Sequence, residues 1–235
     1  MIGVVVPAHD EAVHIAAALS AIRVAGEQVD EAVSVVVVCD SCRDATASIA
    51  AANGATVLSI EAQNVGRARA LGADHLLEIG ARWLSFTDAD TIVSPGWLRA
   101  QLALGSDAVC GSVAVADWSA HGEHADLIRD HFASSYADRE GHRHIHGANL
   151  GVSAAAYRRA GGFPPLACSE DVALGEALEA IGATIAWSAA PRVTTSARID
   201  ARARGGFGDA LLAAVAARLS RDSMSDLALA NPTVA

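Results

Sequence analysis

The chain has 235 residues, of which 52% are hydrophobic and 19% are charged, so it is long enough and apolar enough to bury a sizeable core. Its formal net charge is −10, and all 17 of its basic residues are arginine. This balance argues against a general nucleic-acid-binding protein, because such proteins present a basic face to phosphates.

The start of the chain and its cysteines bear on the cellular compartment. Met1 leads directly into the apolar run Ile2–Val6 without a basic segment, and no apolar stretch approaches the roughly 18–20 residues that span a bilayer. We therefore expect a cytoplasmic protein without a transmembrane segment, with peripheral contact at the inner face of the membrane as the alternative. Cys39 and Cys42 form a single CxxC pair, which matches neither a disulfide framework nor a structural zinc site.

The first 90 residues alternate strands with helices. Short runs rich in valine and isoleucine predict buried strands, and longer stretches with apolar residues at helical spacing predict helices. In chain order the predicted elements are strand Ile2–Val6, helix Glu11–Val24, strand Val33–Cys39, helix Asp44–Ala52, strand Ala55–Ile60, helix Gly66–Ile79 and strand Arg82–Thr87. This alternation predicts an α/β fold with a Rossmann-like, open, mostly parallel sheet and helices on both faces.

After Asp90 the pattern is less regular. The stretch Ala116–His144 is polar, rich in histidine and without a clear period. The remaining predicted elements are helix Pro95–Leu104, strand Ala108–Val115, an apolar run Ile145–Ser153, helix Ala154–Ala160, helix Asp171–Ile181, strand Thr184–Trp187 and helix Gly208–Leu219. No repeat or flexible linker divides the chain, so we interpret residues 1–235 as a single domain.

Acidic residues follow several of the predicted strands. Because the carboxyl ends of parallel strands meet at one edge of a sheet, His9-Asp10-Glu11, Asp40-Ser41 and Asp88-Ala89-Asp90 are expected to share one crevice. Two carboxylates about 4 Å apart repel each other by about 4 kcal/mol at an effective dielectric constant of 20. Mg²⁺ or Mn²⁺ bound by Asp88 and Asp90 would relieve this repulsion. The alternative is that the two aspartates form a turn and cap the next helix.

Two common nucleotide-binding motifs are missing from the sequence. The first strand is followed by Pro7-Ala8-His9-Asp10-Glu11 instead of GxGxxG, and no GxxxxGK[ST] occurs in a chain without lysine. These absences argue against a nicotinamide-dependent dehydrogenase and a P-loop NTPase.

Six segments of the sequence form an ordered set: Val4–Glu11 (VVVPAHDE), Val37–Thr46 (VVCDSCRDAT), Asn64–Ala73 (NVGRARALGA), Phe86–Asp90 (FTDAD), His146–Phe163 (HGANLGVSAAAYRRAGGF) and Ser169–Leu178 (SEDVALGEAL). In this order they resemble the motifs of family 2 glycosyltransferases of the GT-A fold, over about residues 2–190. The resemblance implies a nucleotide-binding half over residues 1–90, a donor-sugar and acceptor half over 91–205, and a C-terminal helix and tail over 206–235.

The resemblance also implies roles for individual residues. Those implied to bind the nucleotide are Pro7, Ala8, Glu11, Asp40 (through the base) and Arg69. Those implied to bind the diphosphate and a Mn²⁺ or Mg²⁺ ion are Asp88, Ala89 and Asp90, with Asp88 and Asp90 as the metal ligands. Gly147, Ala148 and Asn149 match the floor of the donor-sugar site, and Asp171 matches the catalytic base.

These roles together predict an inverting glycosyltransferase. Its partners would be a nucleotide-diphosphate sugar and an acceptor hydroxyl on a sugar, a lipid-linked molecule or a small molecule. The alternatives are a sugar nucleotidyltransferase and a non-catalytic nucleotide-sugar-binding protein of the same fold. Taken without the resemblance, Asp171 reads as a helix N-cap and Glu170 as a first-turn acid with no further role.

Several polar residues have no assigned role in the sequence. His142, His144 and His146 alternate, so they would share one face of a strand as an acceptor loop or a zinc site. Some relatives carry a late histidine as a metal ligand, and none occurs between Trp187 and Phe207. Three late arginines could clamp the diphosphate or form an exposed stripe; they are Arg198, Arg202 and Arg204.

Overall fold

One eight-stranded sheet runs through the residues that this computed structural model describes, 1–199. Its strands are β1 (Ile2–Ala8), β2 (Val33–Asp40), β3 (Thr56–Ile60), β4 (Trp83–Phe86), β5 (Ile92–Val93), β6 (Ala108–Val115), β7 (Leu150–Ser153) and β8 (Ile185–Thr195). Their order is β3-β2-β1-β4-β7-β6-β8-β5. Strands β1 to β4 pair in parallel, as do β6 and β8, whereas β7 is antiparallel to both neighbours and β5 to β8. The predicted mostly parallel α/β sheet is confirmed.

Seven α-helices accompany the sheet within residues 1–199. They are α1 (Ile15–Gly26), α2 (Thr46–Ala52), α3 (Val65–Glu78), α4 (Trp97–Ala103), α5 (Ala125–Ser135), α6 (Ala154–Ala160) and α7 (Glu170–Ala180). Asn64 caps α3 by accepting a hydrogen bond from the Arg67 N–H at 2.9 Å. Gly161 ends α6 in the left-handed conformation, with φ of 86°, which glycine adopts at little cost.

The core lies where β1, β2 and β4 pack against α3. Val4, Val5 and Val6 are completely buried, as expected for a parallel strand that is covered on both faces. A Cβ at Gly72 of α3 would lie 2.6 Å from Cγ1 of Val5. The glycine therefore allows α3 to approach the sheet closely, and Arg69 on the same helix reaches Asp88 just beyond the end of β4.

Three elements differ from the prediction. Helix α5 lies in the stretch Ala116–His144 that showed no period, and the short β5 was not predicted. Strand β8 continues to Thr195, although the predicted strand ends at Trp187. Pro191 looks like a strand breaker in the sequence, but it falls at a register shift, where β6 residues Gly111 and Ser112 pair with Ser188 and Arg192. The bulge accommodates the proline and lets the strand resume.

The chain divides into two compact units. The first comprises Met1–Ala116 and Asp138–Ser196 and contains the whole sheet. The described part of the second, residues 117–137 and 197–199, contains α5 and a 3₁₀ segment, Ser119–His124. There the Trp118 and Phe132 rings lie 5.5 Å apart and pack around buried Ile128. These aromatic side chains thus fill the core of their own unit.

Residues beyond Ile199 are not described, so the predicted helix Gly208–Leu219 and two of the late arginines, Arg202 and Arg204, lie outside the described residues. None of the helices within residues 1–199 has the length and the apolar composition that crossing a bilayer requires.

Candidate active site

The acidic residues predicted at the strand ends do lie along one edge of the sheet. Strand β1 stands between β2 and β4 and is parallel to both, so the carboxyl ends of three adjacent strands lie together. Ala8 and Asp40 are the last residues of β1 and β2, and Asp88 follows β4. The chain order also reverses at β1, since β2 lies on one side of it and β4 on the other. Ligands of open α/β sheets bind at such a point.

Arg69 is the centre of the site. Its guanidinium is buried in α3, and it donates from Nη2 to Oδ1 of Asp88 at 2.6 Å and from Nε to Oε1 of Glu170 at 3.0 Å. It also donates from Nη1 to the Gly147 carbonyl oxygen at 2.9 Å. Burial lowers the pKa of Arg69, but the surrounding carboxylates of Asp88, Glu170 and Asp171 outweigh this and raise it, so the side chain stays charged.

Asp171 is joined to the same cluster through Gly147. The Gly147 N–H donates to Oδ2 of Asp171 at 2.7 Å, while the carbonyl oxygen of Gly147 accepts from Arg69. Asp171 lies in the first turn of α7, at the positive end of the helix dipole. The structure therefore brings the predicted metal ligand Asp88 and the predicted base Asp171 into one continuous network.

A glycine is required at position 147 for this network. A Cβ at that position would lie 2.4 Å from Nη2 of Arg69 and 2.7 Å from its Cζ. Real Cβ atoms do not approach other atoms this closely, and Arg69 is held by three partners and cannot easily move away. The glycine thus lets the guanidinium approach the backbone that carries the Asp171 contact.

Asp40 organises the loop that leads into α3. Its carboxylate accepts hydrogen bonds from the backbone N–H groups of Ala62, Gln63 and Asn64 at 2.7–2.8 Å. Burial raises the pKa of Asp40, but these N–H groups together outweigh it and lower the pKa below its usual value. The predicted contact of Asp40 with a nucleotide base stays a prediction, and the carboxylate in any case shapes this loop.

The other residues that are predicted to bind the nucleotide lie at the end of β1. Pro7 and Ala8 belong to β1, and Glu11 is buried in the turn that precedes α1. The Glu11 N–H donates to Oγ1 of Thr46 at 2.8 Å, so this turn is attached to the start of α2. The three residues therefore lie at the sheet edge where the resemblance puts the nucleotide.

Asn149 has a structural function in the protein interior. Its side chain is completely buried and accepts from Nε1 of Trp97 at 2.8 Å. Its amide donates to the carbonyl oxygens of Ser112 at 2.7 Å and Pro191 at 2.9 Å. Because this amide joins α4, β6 and β8, a donor-sugar contact at 147–149 would have to involve other atoms of the segment.

The three alternating histidines stack along the segment that precedes Gly147. Ring centroids lie 5.6 Å apart for His142 and His144, and 5.9 Å apart for His144 and His146. Burial lowers the pKa of His146 to about 4, an effect that the nearby Asp171 carboxylate opposes. Within residues 1–199 these histidines form no cluster of three converging metal ligands, so the zinc alternative has no support there.

One such cluster does occur in the described part of the chain, formed by Asp10, Cys42 and Asp44, whose ligand atoms lie within 4.8 Å of one another. Backbone N–H groups of Arg43 and Asp44 donate to Asp10, and that of Ala12 donates to Asp44. These bonds join the loops after β1 and β2, which accounts for the cluster without a metal.

Glu170 is the site residue that the sequence interpretation missed. The sequence suggested a first-turn acid without a further role, whereas the structure buries it against Arg69. The available signal was the position of Arg69 between two alanines on α3: an arginine needs acidic partners when it is buried.

Comparisons with known proteins identify the family to which the chain belongs. A model of the family described as "Glycosyltransferase like family 2" matches residues 1–221. The chain belongs to this family of glycosyltransferases. No curated protein matches the chain.

Solved structures of glycosyltransferases share the fold of this member of the family. Staphylococcus aureus TarS, residues 1–349 in complex with UDP-GlcNAc, superposes with a TM-score of 0.63 at 16% identity, covering 88% of this chain and 61% of that one. Glucosyl-3-phosphoglycerate synthase from Mycobacterium tuberculosis, in complex with Mn²⁺, UDP and glucosyl-3-phosphoglycerate, gives 0.58 at 19% identity, covering 83% and 71%. The predicted GT-A architecture is confirmed, and the chain spans about three fifths of the TarS structure.

Proposed function

We propose that the chain transfers a sugar from a nucleoside diphosphate sugar to an acceptor hydroxyl, with inversion at the anomeric carbon. The network from Asp88 through Arg69 and Gly147 to Asp171 carries this proposal, because it sets a donor-side carboxylate and a base at a fixed separation. UDP-sugars are the first candidates for the donor, since TarS and the glucosyl-3-phosphoglycerate synthase are described with UDP-GlcNAc and UDP.

The residues at the end of β4 fit a divalent metal ion. Asp88 and Asp90 offer hard carboxylate oxygens, which Mg²⁺ and Mn²⁺ prefer, and the Asp88 side chain is 35% exposed. Three carboxylates, those of Asp88, Glu170 and Asp171, surround the single cation of Arg69, so negative charge is in excess. A divalent cation held by Asp88 and Asp90 would neutralise the charge that develops on the leaving diphosphate.

Asp171 supplies the proton acceptor in this reaction. Its carboxylate takes the proton of the acceptor hydroxyl while the hydroxyl oxygen bonds to the anomeric carbon and the bond from that carbon to the diphosphate oxygen breaks. The proton ends on Asp171, and the Gly147 N–H holds the carboxylate in place. General base catalysis of this kind contributes about 10²–10⁴-fold to the rate.

The acceptor is defined here by its reacting group, which is a hydroxyl on a sugar, a lipid-linked molecule or a small molecule. Two rival functions make different products. A sugar nucleotidyltransferase releases pyrophosphate, and a non-catalytic binding protein binds a nucleotide sugar without turnover.

The experiment is to incubate the chain with a panel of nucleotide sugars and candidate acceptors, with and without Mn²⁺, and to measure the released nucleoside diphosphate. Asp171→Asn should lose about 10²–10⁴-fold in turnover and still bind the donor. Glu176→Gln, an exposed charge change on the same helix, should leave turnover unchanged. Release of pyrophosphate, or full turnover in Asp171→Asn, would contradict the proposal.

A further inference from the structure

Glu170 is a buried carboxylate that the proposed chemistry does not use. Its side chain is only 5% exposed, and its Oε1 contacts Nε of Arg69. Burial raises the pKa of Glu170, and the Arg69 charge opposes that rise. A buried acid next to the residues that face the ligand calls for an explanation, since carboxylates are seldom buried without a partner or a purpose.

Arg69 divides one positive charge between two carboxylates. Its Nε faces Glu170, and its Nη2 faces Asp88 at 2.6 Å. If Glu170 were neutral, more of the charge of Arg69 would act on Asp88, the carboxylate that would remain hydrogen-bonded to it. Asp88 would then be neutralised by the arginine and would bind a cation more weakly, because the arginine competes with the cation for the same carboxylate.

The same contact also fixes the orientation of the guanidinium. With Nε held by Glu170, the two terminal nitrogens point to Asp88 and to the carbonyl oxygen of Gly147. Gly147 in turn holds Asp171 through its N–H group. A change at Glu170 therefore reaches both ends of the network, although Glu170 itself contacts only its arginine partner there.

We propose that Glu170 is a positioning residue that balances the charge of Arg69, so that Asp88 keeps the negative charge with which it binds a divalent cation. This inference rests on the proposed function, since it takes Asp88 as a metal ligand. It assigns the acidic pair Glu170-Asp171 two separate tasks: Glu170 sets the cation affinity of the neighbouring site, and Asp171 accepts the proton.

The test measures Mn²⁺ binding by calorimetry on the full chain, first alone and then with UDP present. Glu170→Gln keeps the size of the side chain and an oxygen for Arg69, and removes only the charge. We expect it to bind Mn²⁺ about tenfold more weakly, the order expected for one charge lost near a partly buried site. Glu176→Gln removes the same charge from the exposed face of α7 and should bind Mn²⁺ within about twofold of the unsubstituted chain.

The outcomes separate this inference from the proposed function. If the unsubstituted chain binds no Mn²⁺ either alone or with UDP, the inference and the metal site of the proposed function are overturned, whereas sugar transfer itself is tested by the release of nucleoside diphosphate. If it binds Mn²⁺ and Glu170→Gln binds equally well, only the inference is overturned, and Glu170 is a plain structural partner of Arg69.

A second variant covers the case in which Glu170→Gln fails to fold, as thermal melting would reveal. The double variant Arg69→Gln, Glu170→Gln removes both buried charges, and a neutral pair of similar size is often tolerated in place of a buried ion pair. Since no arginine then neutralises Asp88, Mn²⁺ affinity should equal or exceed that of the unsubstituted chain. Weaker binding in the double variant would overturn the proposal.

Discussion

Replacement of Arg69 by methionine tests the network at its centre. The variant keeps most of the apolar volume of the side chain but removes the partner of buried Glu170, the ion pair of Asp88 and the donor to the Gly147 carbonyl oxygen. Asp88 is partly exposed and can be solvated, so the largest cost comes from Glu170, which stays buried without a counter-charge.

The expected magnitude follows from the burial of this pair. Removing one partner of a buried ion pair costs about 3–5 kcal/mol, because the other charge is left uncompensated. For a protein of this length, 1 kcal/mol lowers the melting temperature by about 2–4 °C, so Arg69→Met should melt about 6–20 °C lower. Arg67→Met, an exposed change on the same helix, should melt within about 2 °C of the unsubstituted chain.

The pH dependence of the loss identifies its cause. Without Arg69, burial raises the folded-state pKa of Glu170 further above its usual value of 4.5. A carboxyl group with a raised folded-state pKa costs stability as the pH rises from its unfolded pKa, near 4.5, to its folded-state pKa, and the full cost remains at higher pH. The loss should therefore be larger at about pH 8 than at about pH 5. Thermal melting followed by circular dichroism measures the loss in melting temperature at each of the two pH values. A loss below about 2 °C at pH 8, or an equal loss at both pH values, would refute the reasoning.

Three further changes probe the residues around the network. Asn149→Ala leaves Nε1 of Trp97 and the carbonyl oxygens of Ser112 and Pro191 buried without partners, so the free energy of unfolding in urea should fall by about 3 kcal/mol or more. Asp40→Asn removes the charge that accepts three backbone N–H groups and should cost about 2 kcal/mol near pH 7. The folded-state pKa of Asp40 is lowered below 3.8, so this difference should be present above pH 3.8 and vanish as the pH falls through the folded-state pKa. The pKa of His146 is lowered from 6.5 to about 4, so on acidification the unfolded chain takes up this proton before the folded chain does. The free energy of unfolding in urea should therefore fall by up to about 3 kcal/mol as the pH is lowered from 6.5 to 4. His146→Gln should lose that part of the pH dependence.

A specific result would contradict each of these three predictions. If the free energy of unfolding of Asn149→Ala lies within about 1 kcal/mol of that of the unsubstituted chain, water forms the hydrogen bonds that the asparagine side chain made. A constant difference for Asp40→Asn down to pH 2 would mean that its charge is not what the loop requires. An unchanged pH profile in His146→Gln would assign the acid sensitivity to other groups.

The first half of the fold was predictable from the residues alone. Buried parallel strands require unbroken apolar runs, and the helices that connect them require apolar residues at helical spacing, so the strands and helices from Ile2 to Phe86 are visible in the sequence. The same logic located Asp40 and Asp88 at a common edge, because parallel strands with right-handed connections deliver their carboxyl ends together. The predicted strand corresponding to β8 was too short, because a strand can continue past Pro191 only through the bulge that it forms with β6, and a local sequence pattern does not show that pairing.

The polar contacts of the site were decided by the tertiary structure. Arg69 meets Asp88, Gly147 and Glu170, which are 19, 78 and 101 residues away along the chain. Nothing in a local pattern tells a buried arginine which acid it will meet, or separates Glu170 from Asp171 beside it. Hydrophobic periodicity reports which face of an element is buried, whereas the pairing of charges depends on how elements distant in sequence pack. For that reason the sequence alone determined the family and the parallel first half of the sheet, whereas the pairing of Asp88 and Glu170 with Arg69 was decided only by the tertiary structure.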